Sequence, residues 1–130
     1  FILHTSPDLY SSLTHYTYDD AYKAGGHVDY DEAKAVNCVS KDVTDTMSLN
    51  VAKLFRTEWS IATTGYSTPV PESGNDIFAF YAVSYKGEVI VSDRIELHPL
   101  TKPMDAQNYF TECVLSCLGY EVKRHLPQTH

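Results

Sequence analysis

The sequence predicts a single α/β domain in which helices flank a mixed sheet, on the basis of three observations. Segments rich in β-formers alternate with segments in which apolar residues recur at helical spacing. The 130 residues are the size of a single domain. No internal repeat and no Pro/Gly-rich linker divides them. Helices on both sides of one sheet are the simplest architecture for this order of elements.

Four segments are predicted to be strands: residues 14–18, 59–63, 77–85 and 88–97. The third is almost continuously aromatic and aliphatic, as expected for a strand covered on both faces. The fourth carries its apolar residues on one side, which is typical of an edge strand. Lys86 and Gly87 separate these two strands and predict a hairpin. Residues 67–75 contain two prolines and a glycine, which predicts a loop.

Two amphipathic helices are predicted. Ser40 is a credible N-cap for a helix over residues 41–56, with one apolar stripe. Pro103 opens a second helix, and Gly119 is expected to end it after residue 118. Residues 31–36 are compatible with one or two further helical turns.

Charge and composition exclude several classes of function. The formal net charge is −7 and the basic residues are not clustered, which argues against a nucleic-acid-binding surface. No apolar run approaches the length of about 20 residues that a membrane span needs, so the cytoplasm is the expected location. The three cysteines fit neither a disulfide framework nor a zinc knuckle. The scattered histidines, including His4 and His98, lack the spacing of metal ligands.

Three blocks of sequence, with the spacing between them, carry a family resemblance. They are Ala-Val-Asn-Cys-Val-Ser at residues 35–40, Ala-Thr-Thr-Gly-Tyr-Ser-Thr-Pro-Val-Pro-Glu-Ser at 62–73, and Ile-Phe-Ala-Phe-Tyr-Ala at 77–82. With these blocks the chain resembles the C-terminal domain of CinA, the nicotinamide-nucleotide amidase family, and within it a short stand-alone subgroup. The resemblance covers essentially the whole chain. It implies a three-layer α/β/α fold with a mixed sheet.

The resemblance also implies an activity and a ligand. The family hydrolyses the carboxamide of nicotinamide mononucleotide to the nicotinate form and ammonia, without a metal or organic cofactor. Its nucleophilic serine stands in a Glu-Ser-x-Thr-Gly/Ala-Gly segment, and no such string occurs here. That segment, with the family's first strand and helix, is expected upstream of Phe1. An exposed sheet edge would then favour a homo-oligomer.

Four residues match the family's site pattern. The family's next strand ends in a Tyr with a Lys five residues later, and Tyr18 and Lys23 keep that spacing, which implies a catalytic proton relay. Asp20 and Tyr22 depart from the common residues around that Lys. Thr64 and Gly65 match the Thr-Gly turn that lines the ligand pocket near the amide and phosphate.

Less favoured candidates remain beside these four. Glu72 and Ser73, on the loop that follows the Thr-Gly turn, are expected to be solvated. Ser6, Ser11 and Ser12 lack the Thr-Gly pair that a serine nucleophile would need. Cys38, assisted by His15 or His27, is a second conceivable nucleophile, but a packed thiol fits its apolar neighbours better.

Two functions from different classes therefore stay open. The first is an amidase domain that acts only when an upstream segment or a partner chain supplies the serine. The second is a catalytically silent module that binds a nucleotide or assembles with like subunits. The lack of the serine string favours the silent interpretation for these 130 residues.

Overall fold

The structure is a computed structural model that describes residues 2–5, 14–16 and 39–126, with side chains from residue 39 onward. Five strands and two α-helices are described, with one 3₁₀ turn at Pro71–Ser73. In chain order they are β1 Ile2–Thr5, β2 Thr14–Tyr16, α1 Lys41–Phe55, β3 Trp59–Tyr66, β4 Ile77–Tyr85, β5 Glu88–Leu97 and α2 Pro103–His125. The expected helical turns at residues 31–36 lie outside the described residues.

The five strands form one sheet in the order β2-β1-β3-β4-β5. All four pairings between these strands are antiparallel, so the mixed sheet that we expected is not found among the described strands. Short connections explain the difference for β3, β4 and β5, because a parallel pair needs a long crossover whereas a hairpin returns the chain antiparallel. β5 lies at the edge of the sheet, as its one-sided pattern predicted.

The three-layer arrangement is confirmed. Ile61 of β3 and Val83 of β4, both odd-numbered positions, point to one face of the sheet. There they pack with Val114 of α2. Ser60 and Ser84 have even numbers and their hydroxyls donate to the backbone carbonyl of Ser48 in α1, on the other face. Because neighbouring residues of a strand point to opposite faces, β3 and β4 are covered on both sides.

Helix α1 begins where the sequence predicted it. The Ser40 hydroxyl accepts a hydrogen bond from the Val43 amide at 3.1 Å, which satisfies one of the free amides of the first turn. The face toward the sheet is closely packed: Val43, Met47 and Val51 are all buried. The helix ends at Phe55, and Arg56 follows as a C-cap in the left-handed conformation.

Helix α2 is longer than predicted, because Gly119 lies inside it and does not end it. A glycine inside a helix costs about 1 kcal/mol relative to alanine. The turns beyond it still make tertiary contacts, since Glu121 is buried and the His125 ring packs against Trp59 and Tyr85. Neither helix in the described part of the chain is long and apolar enough to cross a membrane.

The hairpin between β4 and β5 forms as predicted. Lys86 and Gly87 both have positive φ, 50° and 81°, which is the combination found in type I′ turns. β3 is three residues longer than predicted and continues through Thr64, Gly65 and Tyr66. The segment predicted to be the turn of the ligand pocket is therefore the last part of a strand paired with β4.

Candidate functional site

A cavity of about 350 Å³ lies between the carboxyl end of β3 and the first turns of α2. We call it the β3-end cavity. Its lining combines two predicted site residues with residues of β4 and α2: Thr63, Thr64, Gly65, Ser67, Ala79, Gln107, Phe110 and Thr111. Strand and helix meet here because Ala79, Phe110 and Ala106 form one buried apolar cluster below the opening. The predicted pair Thr64 and Gly65 therefore borders a cavity.

Gly65 is required by the close approach of β3 to β4. A Cβ placed on Gly65 would lie 2.5 Å from the Cα and 2.6 Å from the Cβ of Ala79, closer than real side chains come. The obstruction is a neighbouring strand, which cannot move aside as a flexible side chain can. A glycine here lets the strands pair up to the edge of the cavity.

The polar groups of the cavity are uncharged. Thr63 donates its hydroxyl proton to the Phe80 carbonyl at 3.0 Å, and Thr111 donates to the Gln107 carbonyl at 2.9 Å. The Gln107 amide nitrogen donates to the Ser67 hydroxyl over 3.4 Å and bridges helix and loop. The described lining therefore combines small hydroxyls and one amide with a buried apolar base.

No acid or base belongs to the described lining of this cavity, since its lining residues are hydroxyl, amide and apolar residues only. A serine or threonine hydroxyl is a weak nucleophile without an adjacent general base. The described lining therefore offers binding groups and no activated nucleophile.

Tyr18 and Lys23, the predicted catalytic residues, lie outside the described residues. The strand that leads to them is described. Ile2 of β1 stands opposite both Tyr16 of β2 and Ala62 of β3, so Tyr16 and Ala62 are level with each other, two strand spacings or about 10 Å apart. β2 and β3 thus run in the same direction and end at the same edge of the sheet.

Glu72 and Ser73, which were both expected to be solvated, differ in exposure. Glu72 is exposed, as expected. Ser73 is buried, which corrects the expectation that it is solvated, and its hydroxyl hydrogen-bonds the carbonyls of Val70 and Asp76 at 3.0 and 2.8 Å. Ser73 thus holds the loop in shape.

Cys117 of α2 is half-buried and packs against the cluster of Ile61, Val83 and Val114. Burial is the main cause that raises the pKa of Cys117, with the nearby Glu121 carboxylate second. A raised pKa lowers the fraction of reactive thiolate. Among the described residues, no group of three His, Cys, Asp or Glu side chains is placed to hold a metal ion. Cys38, His15, His27 and the early serines have no described side chains.

The sequence did not predict that residues of α2 line the cavity. Gln107 and Thr111 are polar residues of an amphipathic helix, and in the sequence they resemble an ordinary solvated face. The helical spacing of Phe110 was the only usable signal, because it placed that side of α2 toward the sheet. Ser67 stood in the quoted motif without an assigned role.

Comparisons with known proteins give one consistent result. No protein-family model and no curated protein sequence matches the chain. Among solved structures, it is similar to a competence-damaged protein (CinA) superfamily protein from Klebsiella pneumoniae, with a TM-score of 0.67 and 15% identity over 84% of this chain and 67% of that one. A CinA superfamily protein from Enterobacter cloacae gives a TM-score of 0.66 and 17% identity over 82% of this chain and 62% of that one.

The chain therefore spans about two thirds of the length of these two solved proteins. At identities of 15% and 17%, the likeness is one of backbone arrangement and extends to few side chains. The helices on both faces of a sheet, the Thr-Gly strand end and the two structural matches agree with one another. The chain has the fold of the CinA superfamily, as its sequence motifs predicted.

Proposed function

We propose that the β3-end cavity binds a pyridine nucleotide of the nicotinamide mononucleotide type. The observation that carries this proposal is the lining of neutral hydroxyls and one amide around Gly65, above the apolar base formed by Ala79 and Phe110. A carboxamide offers one acceptor and two donors, which hydroxyl and amide side chains can match. The volume of about 350 Å³ lies within the range of small-molecule sites.

We further propose that Tyr18 and Lys23 belong to this site. The parallel direction of β2 and β3, with Tyr16 level with Ala62, supports the proposal, because the chain leaves β2 at the edge where β3 carries Thr64 and Gly65. A lysine near an attacking oxygen serves as a base when its pKa is lowered, and a tyrosine hydroxyl orients or relays the proton.

The 130-residue chain alone is proposed to bind the nucleotide without hydrolysing it. Its sequence lacks the Glu-Ser-x-Thr-Gly/Ala-Gly segment, and the described lining of the cavity contains no nucleophile beside a base. A triad-type enzyme that loses its nucleophile retains only about 10³- to 10⁴-fold acceleration over water. Uncatalysed amide hydrolysis is so slow that this remainder would escape a standard ammonia assay.

Binding is tested by titrating the protein with nicotinamide mononucleotide in a calorimeter. Gln107→Ala is expected to weaken binding about tenfold, the loss of roughly one hydrogen bond to a ligand. Asn108→Ala is the matched control, because Asn108 is the neighbouring amide on α2 and does not line the cavity. Equal affinity in both variants, or no heat of binding in the unmodified chain, would contradict the proposal.

Hydrolysis is tested separately by ammonia release from the same nucleotide. The unmodified chain is expected to show none above background, and a chain extended by the family's serine segment is expected to turn over. Lys23→Ala in the extended chain should then remove turnover while binding persists. Turnover by the unextended chain would mean that a resident nucleophile exists. Silence in the extended chain, with binding intact, would favour the alternative of a nucleotide-binding or assembly module.

A further inference from the structure

A second cavity lies at the opposite end of β3. Its volume is about 460 Å³, and it forms where the last turn of α1 meets the β4–β5 hairpin. We call it the α1-end cavity. The Lys86 amide donates to the Glu58 carbonyl at 2.8 Å and ties the hairpin to the segment between α1 and β3. The residues that matter for its chemistry are Lys53, Arg56, Thr57, Glu58 and Lys86.

The charge of this cavity is opposite to that of the chain. Three cations and one carboxylate, Glu58, line it, whereas the whole chain carries a formal charge of −7. Within residues 39–126, the ion pairs closer than 4.0 Å involve Lys41, Arg94, Arg124 and His125, so the three cations of the cavity take part in none of them. The Lys86 ammonium lies 5.2 Å from the centre of the Tyr85 ring, which itself packs against Trp59 and His125.

Two of these cations occupy backbone positions that ordinarily favour glycine or asparagine. Arg56 has φ 53° at the C-cap of α1, and Lys86 has φ 50° in the hairpin turn. The remaining non-glycine residue with positive φ in the described part of the chain is Asn75, for which that conformation is common. Arg56 and Lys86 therefore both hold a backbone conformation that is strained for any side chain with a Cβ.

A buried hydroxyl lies against the same cavity. Thr57 is 9% exposed, and its Oγ1 has no hydrogen-bond partner among the described residues. Buried polar groups without a partner are rare in native proteins. Oγ1 itself is covered, and a rotation about χ1 is needed for it to donate to an atom in the cavity. An oxygen atom of a bound anion would satisfy it.

We propose that the α1-end cavity binds a small oxyanion of the phosphate type between Lys53, Arg56 and Lys86. The C-terminal end of α1 carries partial negative charge, and this favours cations such as Lys53 and Arg56 there. Lys86 belongs to the hairpin, so the helix dipole does not account for its position. The site is separate from the β3-end cavity. Glu58 and Gly65 are seven residues apart along the extended chain, which is roughly 23 Å. One mononucleotide therefore does not fill both cavities, and the anion is a second ligand.

The experiment is an NMR titration of the full 130-residue chain with inorganic phosphate, at constant ionic strength maintained with sodium chloride. Saturable shifts are expected for the backbone amides of residues 53–58 and 86–88, with a Kd near ~1 mM. Lys53→Gln combined with Lys86→Gln is expected to weaken binding at least about tenfold. Lys41→Gln combined with Lys123→Gln removes the same charge elsewhere and is the matched control, with unchanged affinity expected. A thermal melt of each variant confirms that it is folded.

Three outcomes would overturn the proposal: shifts that never saturate, shifts confined to other residues, or equal weakening in both double variants. The last would mean that net charge alone attracts phosphate. Thr57→Val adds an independent readout, because it keeps the shape but removes the hydroxyl, and weaker phosphate binding without loss of folding is expected. A parallel titration with acetate separates the possible sources: binding of phosphate alone identifies a phosphate group, and binding of both identifies any oxyanion.

Discussion

Gly65 lies where β3 has to pass close to β4, at the rim of the β3-end cavity. Gly65→Ala is expected to lower the free energy of unfolding by about 1 to 3 kcal/mol, because the new methyl group meets strand backbone that cannot move away. The measurement is urea unfolding followed by circular dichroism.

Gly119→Ala is the control for that substitution. Gly119 lies inside α2, and a Cβ there meets nothing within 4 Å. This change should raise the free energy of unfolding by about 0.5 to 1 kcal/mol, since alanine is the better helix residue. If the two substitutions shifted stability in the same direction, the steric account of Gly65 would be wrong.

At the scale of elements, Tyr81 and Cys117 connect β4 to α2. The hydroxyl of Tyr81 and the thiol of Cys117 are near enough for each group to influence the pKa of the other. Burial, followed by the neighbouring Cys117 and Asp93, raises the pKa of Tyr81 to about 12. The pKa of tyrosine in an unfolded chain is about 10. Folding therefore favours the protonated phenol, and its contribution to stability is complete below pH ~10 and is lost as the pH rises toward 12.

Tyr81→Phe should make the free energy of unfolding less dependent on pH between about 10 and 12 than it is in the unmodified chain. The comparison uses chemical unfolding curves at several pH values. Tyr120→Phe is the control, since Tyr120 lies on α2 and is 64% exposed, and this variant should keep the pH dependence of the unmodified chain. Parallel curves for Tyr81→Phe and the unmodified chain would contradict the role given to this half-buried side chain.

At the scale of the whole molecule, the outward side of α2 carries exposed apolar residues. Met104 is 66% exposed and Leu115 is 41% exposed. They are three helical turns apart and so lie on the same side of the helix. Exposed apolar side chains that line up in this way favour association. We expect the chain to form oligomers, as also predicted from its sequence.

Sedimentation velocity at a series of protein concentrations tests this expectation. Leu115→Lys should shift the distribution toward the monomer, because a charge replaces an apolar contact. Ser116→Lys introduces the same charge at the next exposed position, about 100° around the helix, and should shift it less. A monomer at every concentration would refute self-association.

Local patterns in the sequence predicted much of this fold. The Ser40 cap, the apolar stripe of α1 and the Lys86-Gly87 turn depend on neighbours within a few residues, and all three were confirmed. The full extents of β4 and β5 were also predicted, because alternation and β-propensity persist over nine and ten residues. β1 was missed, since a four-residue strand is too short to establish a period.

For the candidate site too, some parts were predicted from local sequence and others became visible only in the tertiary structure. By itself the sequence predicted the CinA-like fold and singled out Thr64 and Gly65, because both are carried by contiguous residues with their own local signals, although it placed these two residues in a turn after β3. Only the tertiary structure decided that Gln107 and Thr111 complete that cavity, that β2 and β3 end at one edge, and that Lys86 joins Lys53 and Arg56. The physical reason is that strand register and helix docking are set by packing across the sheet. Such contacts join residues distant in sequence and leave no local period to detect.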